Sequence, residues 1–121
     1  MSHFDLSRRR RIHIVGVGGP GMSAIAIVLA QMGHDVTGSD LRETEALASA
    51  RRAGVRVSIG HQSSSVADRE AIAYSSAIPS DNIEVVAGRS AGIDVMPRAD
   101  MLAAICARTS AVGVAGTHGK T

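Results

Sequence analysis

A chain of 121 residues, 45% hydrophobic and only 2% aromatic, is long enough for one domain with a core of Ala, Val, Ile, Leu and Met. Helices packed closely on a parallel sheet suit such a core. Its formal net charge is only +2, and 12 of its 13 basic residues are Arg; a single cysteine, Cys106, excludes an internal disulfide and fits a cytoplasmic protein. No apolar stretch reaches transmembrane or secretory length. The run Arg8 to Arg11 lacks the interleaved aromatics that would stack on bases, so neither membrane nor nucleic acid is an expected partner.

In chain order, Met1 to Arg11 reads as a flexible basic arm, and Ile12 to Val15 as a first strand in which His13 is simply a strand residue. A helix is predicted from Gly21 to Met32, with Met22, Ile25, Ala26, Leu29 and Met32 on one apolar stripe and Gly33 as its stop. Asp35 to Gly38 is a second strand. Glu43 to Ala53 is a second helix, acidic at its start and carrying Arg51 and Arg52 at its end. Val55 to Ile59 is a third strand, followed by the polar loop from Gly60 to Ser65. Glu70 to Ser75 is a fourth, running into Ser75-Ser76-Ala77-Ile78-Pro79. Asp81 with Glu84 three residues on resembles a capping box that opens a helix closing at Gly92. Asp94 to Met96 is a fifth strand. Arg98 to Arg108 is a helix with Met101, Leu102 and Ile105 on its apolar stripe, and Ala111 to Ala115 a sixth strand. The fold expected is α/β, a Rossmann-like parallel sheet flanked by helices. Its domain should span residues 12–109, and residues 110–121 should begin a further domain.

Two stretches carry a phosphate signature. Gly16, Gly18 and Gly21 fill the places of G-x-G-x-x-G between the first strand and first helix, with Asp40 about 20 residues on at the end of the second strand. Gly16 would allow the tight turn, Gly18 the approach of a diphosphate to backbone N–H groups, and Gly21 close packing of helix on sheet. Asp40 is placed to accept from ribose hydroxyls. Because ligands sit at the C-terminal edge of such sheets, His61 is better placed than His13 or His34. Arg98, a cation in a first helical turn, opposes the helix dipole and is a candidate anion contact. At the chain's end, Gly116-Thr117-His118-Gly119-Lys120-Thr121 follows an apolar stretch and matches the tail of a P-loop. Its Lys would reach the phosphates and its Thr would bind Mg²⁺. Val114 stands where the longer P-loop has its first glycine.

Taken together, Ile12-His13-Ile14-Val15-Gly16-Val17-Gly18-Gly19-Pro20-Gly21-Met22, Gly38-Ser39-Asp40, Ser75-Ser76-Ala77-Ile78-Pro79, Arg98-Ala99-Asp100-Met101-Leu102 and Ala115-Gly116-Thr117-His118-Gly119-Lys120-Thr121 resemble the Mur ligases. That family also shortens its P-loop, which accounts for Val114. The resemblance implies a three-domain cytoplasmic enzyme of peptidoglycan synthesis. Its first domain would hold UDP-N-acetylmuramate, its second MgATP, and L-alanine would attack an acyl phosphate formed on the lactyl carboxylate. Carried onto this chain, Gly18, Gly19, Gly21 and Met22 would meet the diphosphate, and Ser39 and Asp40 would lie near the uridine. His61, Ser75, Ser76 and Arg98 would be lesser contacts. Gly116, Thr117, His118, Gly119 and Lys120 would serve ATP, with Thr121 on the metal. No catalytic residue is expected here, so this chain should bind substrate without turnover. The alternatives are a muropeptide-recycling ligase of the same family, an NAD-dependent oxidoreductase domain and a nucleotide-sensing module.

Overall fold

In the computed structural model the described residues are 3–113, with side chains to 109. Five parallel strands, β1 (Arg11–Val15), β2 (Asp35–Asp40), β3 (Arg56–Ile59), β4 (Ala71–Tyr74) and β5 (Asp94–Pro97), stand in the order β3-β2-β1-β4-β5. The helices are α1 (Met22–Gln31), α2 (Glu45–Arg52), α3 (Ile83–Ser90) and α4 (Arg98–Gly113), and a single 3-10 turn covers Ser63–Val66. The order reverses between β1 and β4, so the chain leaving β1 enters the crevice where open α/β sheets hold ligands.

The strand alternation divides the core in two. Ile12 and Ile14 of β1 join Met22, Ile25 and Leu29 of α1, Leu47 of α2, and Met101 and Ile105 of α4. The next residues along β1 face the other way, and there Val15 packs with Val66, Ile72 and Val85 under α3. Gly88 sets the distance of α3 from the sheet, because a Cβ there would lie 2.3 Å from Ile72 Cδ1. The two edges differ in kind from the centre. β3 carries the exposed Arg56, ion-paired with Asp35, and β5 ends in Pro97.

The elements fall close to where the sequence puts them, with three differences. First, α3 is capped by Asn82, whose side chain accepts from the N–H of Glu84 and of Val85. The expected Asp81–Glu84 capping box does not form, because Glu84 turns inward instead and is fully buried. Second, α4 runs on through Gly113 where a strand from Ala111 is expected. Helix propagation fixes one residue per hydrogen bond gained, whereas a strand needs a neighbour to pair with. Residues 114 and 115 lie outside the described residues. Third, the segment before β1 is held against the domain. Leu6 is 5% exposed and Phe4 packs on the main core. The Arg10 guanidinium lies 4.3 Å from the Phe4 ring centroid and 3.4 Å from Glu70. On α4, Met101 and Ile105 are buried as expected, while Leu102 stays 37% exposed.

Candidate functional site

The loop after β1 is fixed by backbone bonds before any side chain is considered. The N–H groups of Gly16 and Val17 both donate to Ser39 O, at 2.9 and 3.1 Å, and Gly19 N–H donates to Gly16 O at 2.9 Å. Gly16 and Gly21 have φ of +79° and +76°, left-handed values that favour glycine, and Gly21 is the N-cap of α1. Among the described residues, the N–H groups of Gly21 and Ser23 find no backbone acceptor. They open the N-terminus of α1 with free donors and the positive end of its dipole, which is the local requirement for an anion.

Four elements bring side chains to this loop. From the end of β2, Asp40 Oδ2 accepts from Gly18 N–H at 2.8 Å. Its Oδ1 accepts from Leu41 N–H at 2.7 Å. A Cβ on Gly18 would lie 2.8 Å from that Oδ2 and 3.2 Å from Leu47 Cδ2, so the missing side chain at Gly18 makes room for Asp40 and α2. From the end of β4, Ser75 Oγ would be 3.3 Å from a Cβ on Gly19. From the start of α4, Arg98 lies over Gly21, where a Cβ would meet its Nε at 2.7 Å. Gly21 therefore makes room for a guanidinium, not for close packing of helix on sheet as the sequence reading expects. Arg98 is exposed and makes no ion pair among the described residues. A cation thus stands beside free N–H donors at one helix end.

Behind the loop lies a buried polar cluster that the sequence did not disclose. Glu84 Oε1 accepts from Ser39 Oγ at 2.5 Å and from His13 Nε2 at 2.9 Å, and Oε2 accepts from Gln62 N–H at 2.9 Å. His13 Nδ1 meets Thr37 Oγ1 at 2.8 Å, and His61 Nδ1 meets Ser39 Oγ at 2.9 Å. Burial pushes the Glu84 carboxyl up, but hydrogen bonds from His13, Ser39 and the Gln62 N–H outweigh it and hold it at about 2. The signal in the sequence was Glu84 itself, one acid in the first turn of α3, but a capping role explained it equally well.

The expected site residues accordingly separate. Gly18, Gly19, Gly21, Asp40, Ser75 and Arg98 surround one loop. Met22 lends the loop its backbone, donating to Gly19 O at 3.0 Å, while its side chain is core. Ser39 is fully buried, with its hydroxyl turned to Glu84, and it reaches the loop only through its carbonyl. His61 joins the cluster from the loop after β3. Ser76 is exposed next to Ser75 with no hydrogen bond among the described residues. Gly116 to Thr121, proposed for ATP and Mg²⁺, lie outside the described residues. A cavity of about 390 Å³ lined by Leu6, Met32, His34 and Arg108 opens beside the turn before β2, at the edge of the sheet opposite the glycine loop.

Sheet order, crossover and glycine loop together define a Rossmann-like α/β domain with an anion-receptive helix end at its switch point. A model described as the Mur ligase family, catalytic domain, matches residues 11–110, and the chain belongs to that family. It is 50% identical over 111 residues to the UDP-N-acetylmuramate–L-alanine ligase of Rubrobacter xylanophilus, covering 92% of this chain and 25% of that protein. It is 51% identical over 114 residues to the enzyme of that name from Bordetella avium, covering 94% and 24%. Among solved structures, the UDP-N-acetylmuramate–alanine ligase of Thermotoga maritima superposes with a TM-score of 0.77 at 32% identity, over 83% of this chain and 23% of that one. The chain thus spans about a quarter of the length of these relatives.

Proposed function

We propose that this chain is the UDP-N-acetylmuramate-binding domain of an ATP-dependent UDP-N-acetylmuramate–L-alanine ligase. The observation that carries the reading is Arg98 beside the free N–H groups at the start of α1, since a diphosphate needs both positive charge and convergent donors. The names of the relatives supply the sugar nucleotide. Asp40 and Ser75 complete the rim of the loop. In the longer enzyme MgATP supplies the phosphoryl group that activates the substrate's carboxylate for the amine of L-alanine. The described residues would bind and orient the nucleotide end of the substrate, while Gly116 to Thr121 would serve MgATP. Such work belongs to the cytoplasm, where ATP is found. Among the described residues no helix is long and apolar enough to cross a membrane.

The second reading, an NAD-dependent oxidoreductase domain, shares the glycine loop and Asp40. Calorimetric titration separates the two. UDP-N-acetylmuramate should bind this chain saturably, UDP more weakly, and NAD little or not at all. Tighter binding of NAD than of the UDP-sugar would overturn the proposal.

A further inference from the structure

The proton positions in the buried cluster follow from counting donors. A carboxylate only accepts, so the Ser39 hydroxyl, 2.5 Å from Glu84 Oε1, gives its one proton there. Ser39 Oγ then has only lone pairs left for His61 Nδ1 at 2.9 Å, and that nitrogen must carry hydrogen. Glu84 Oε1, 3.4 Å from the same nitrogen, demands the same. His13 obeys the same count at Nε2, which donates to Glu84, while its Nδ1 meets Thr37 Oγ1. Among the described residues His61 Nε2 makes no hydrogen bond, yet it is not among their buried unpartnered atoms, so it reaches solvent. Ser39, which orients this ring, is also the residue whose carbonyl holds Gly16 and Val17.

We propose that Glu84 is a positioning residue: through the Ser39 hydroxyl it fixes His61 in the Nδ1–H tautomer and leaves Nε2 as a hydrogen-bond acceptor at the C-terminal edge of the sheet, the edge that also carries the glycine loop. The ligand side rests on the UDP-sugar reading above. An acceptor nitrogen takes a hydroxyl or imide N–H and turns away from phosphate oxygens, so it selects the nucleoside part: a ribose hydroxyl or the uracil N3–H. The buried carboxylate acts on the ligand without touching it.

The first test needs no variant. Long-range proton–nitrogen correlation spectra of the ¹⁵N-labelled chain, at a pH above the ordinary histidine range, should show His61 protonated at Nδ1 and bare at Nε2. A proton on Nε2 would overturn the proposal. In Glu84→Gln the amide oxygen still accepts from Ser39, and the tautomer should persist. In Glu84→Met the hydroxyl loses its acceptor, turns its proton to His61 Nδ1, and the proton on the ring should move to Nε2. Affinity for UDP should then fall by about three- to tenfold in the Met variant and stay near wild type in the Gln variant. That penalty should vanish for CDP, which lacks the imide N–H, or for 2′- or 3′-deoxy-UDP, whichever lacks the donor used. An equal penalty for all of them refutes the acceptor role. A chain with the expected tautomer that binds no uridine nucleotide would refute the proposed function and leave the tautomer result standing.

Discussion

A side chain at Gly21 would enter the space held by Arg98 and would sit on a backbone with φ of +76°. Arg98 is a flexible chain and can swing away, so Gly21→Ala should fold at a cost of about 1 kcal/mol while displacing the cation from the helix end. Affinity for UDP-sugar is expected to fall by about tenfold or more, and Arg98→Ala should reproduce most of the loss without backbone strain. Unchanged binding constants in both variants, measured by calorimetry, would place the anion elsewhere. Glu84 makes the opposite kind of prediction, one of stability. Its folded carboxyl titrates at about 2 against an ordinary value of 4.5. The stabilisation is therefore complete above the ordinary range and is lost as pH falls toward 2, an effect of the order of 3 kcal/mol. Urea midpoints at about pH 6 and about pH 3 should differ more in wild type than in Glu84→Gln. Some acid sensitivity should survive in the variant through Asp35. There burial is outweighed by hydrogen bonds from Arg69 and Arg56, and the carboxyl lies below its usual range. These residues were unevenly legible. Arg98 announced itself as a cation at the wrong end of a helix dipole, but nothing local distinguishes a capping glutamate from a buried one.

Among the elements, α3 lies close against the sheet at Gly88, where there is no room for a Cβ. Gly88→Ala would gain helix propensity, yet its Cβ would fall 2.3 Å from Ile72 Cδ1 in a fully buried contact. Ile72 must turn or the helix must shift outward, and a net loss of about 1–3 kcal/mol is expected. Because α3 carries Glu84, the same shift should loosen His61, visible as broadened ring resonances. A Gly88→Ala variant as stable as wild type in thermal unfolding would contradict the close approach. Strands and helices were largely readable because the glycine turn, the stripe from Met22 to Leu29 and the charges at the two ends of α2 all pointed to one answer. Close approach of α3 was not, since one glycine within a helical pattern reads as a mere weakness until the residue facing it is known. The expected strand at Ala111 rested on a short apolar run, for which helix and strand cannot be told apart by periodicity.

At the scale of the whole molecule, the basic run before β1 ties the N-terminal segment to the domain. Leu6 fills a place in the main core, and Arg10 joins Phe4 to Glu70. Removing residues 1–9 should therefore lower the unfolding midpoint by several degrees, through about 1.5–3 kcal/mol of lost apolar burial, whereas a solvated arm could be removed without effect. Four consecutive arginines hid this, since Phe4 and Leu6 before them are too few to form a pattern. The sheet's two borders have a consequence of another kind. A parallel sheet can in principle recruit a further strand at either side, whether from a second chain or from a misfolded copy. Here one border is four residues long with a charged guanidinium at its outset, and the other closes on Pro97, which has no N–H to offer. Both features oppose growth by strand addition, and concentrated solutions should scatter little light and stay free of amyloid-binding dye.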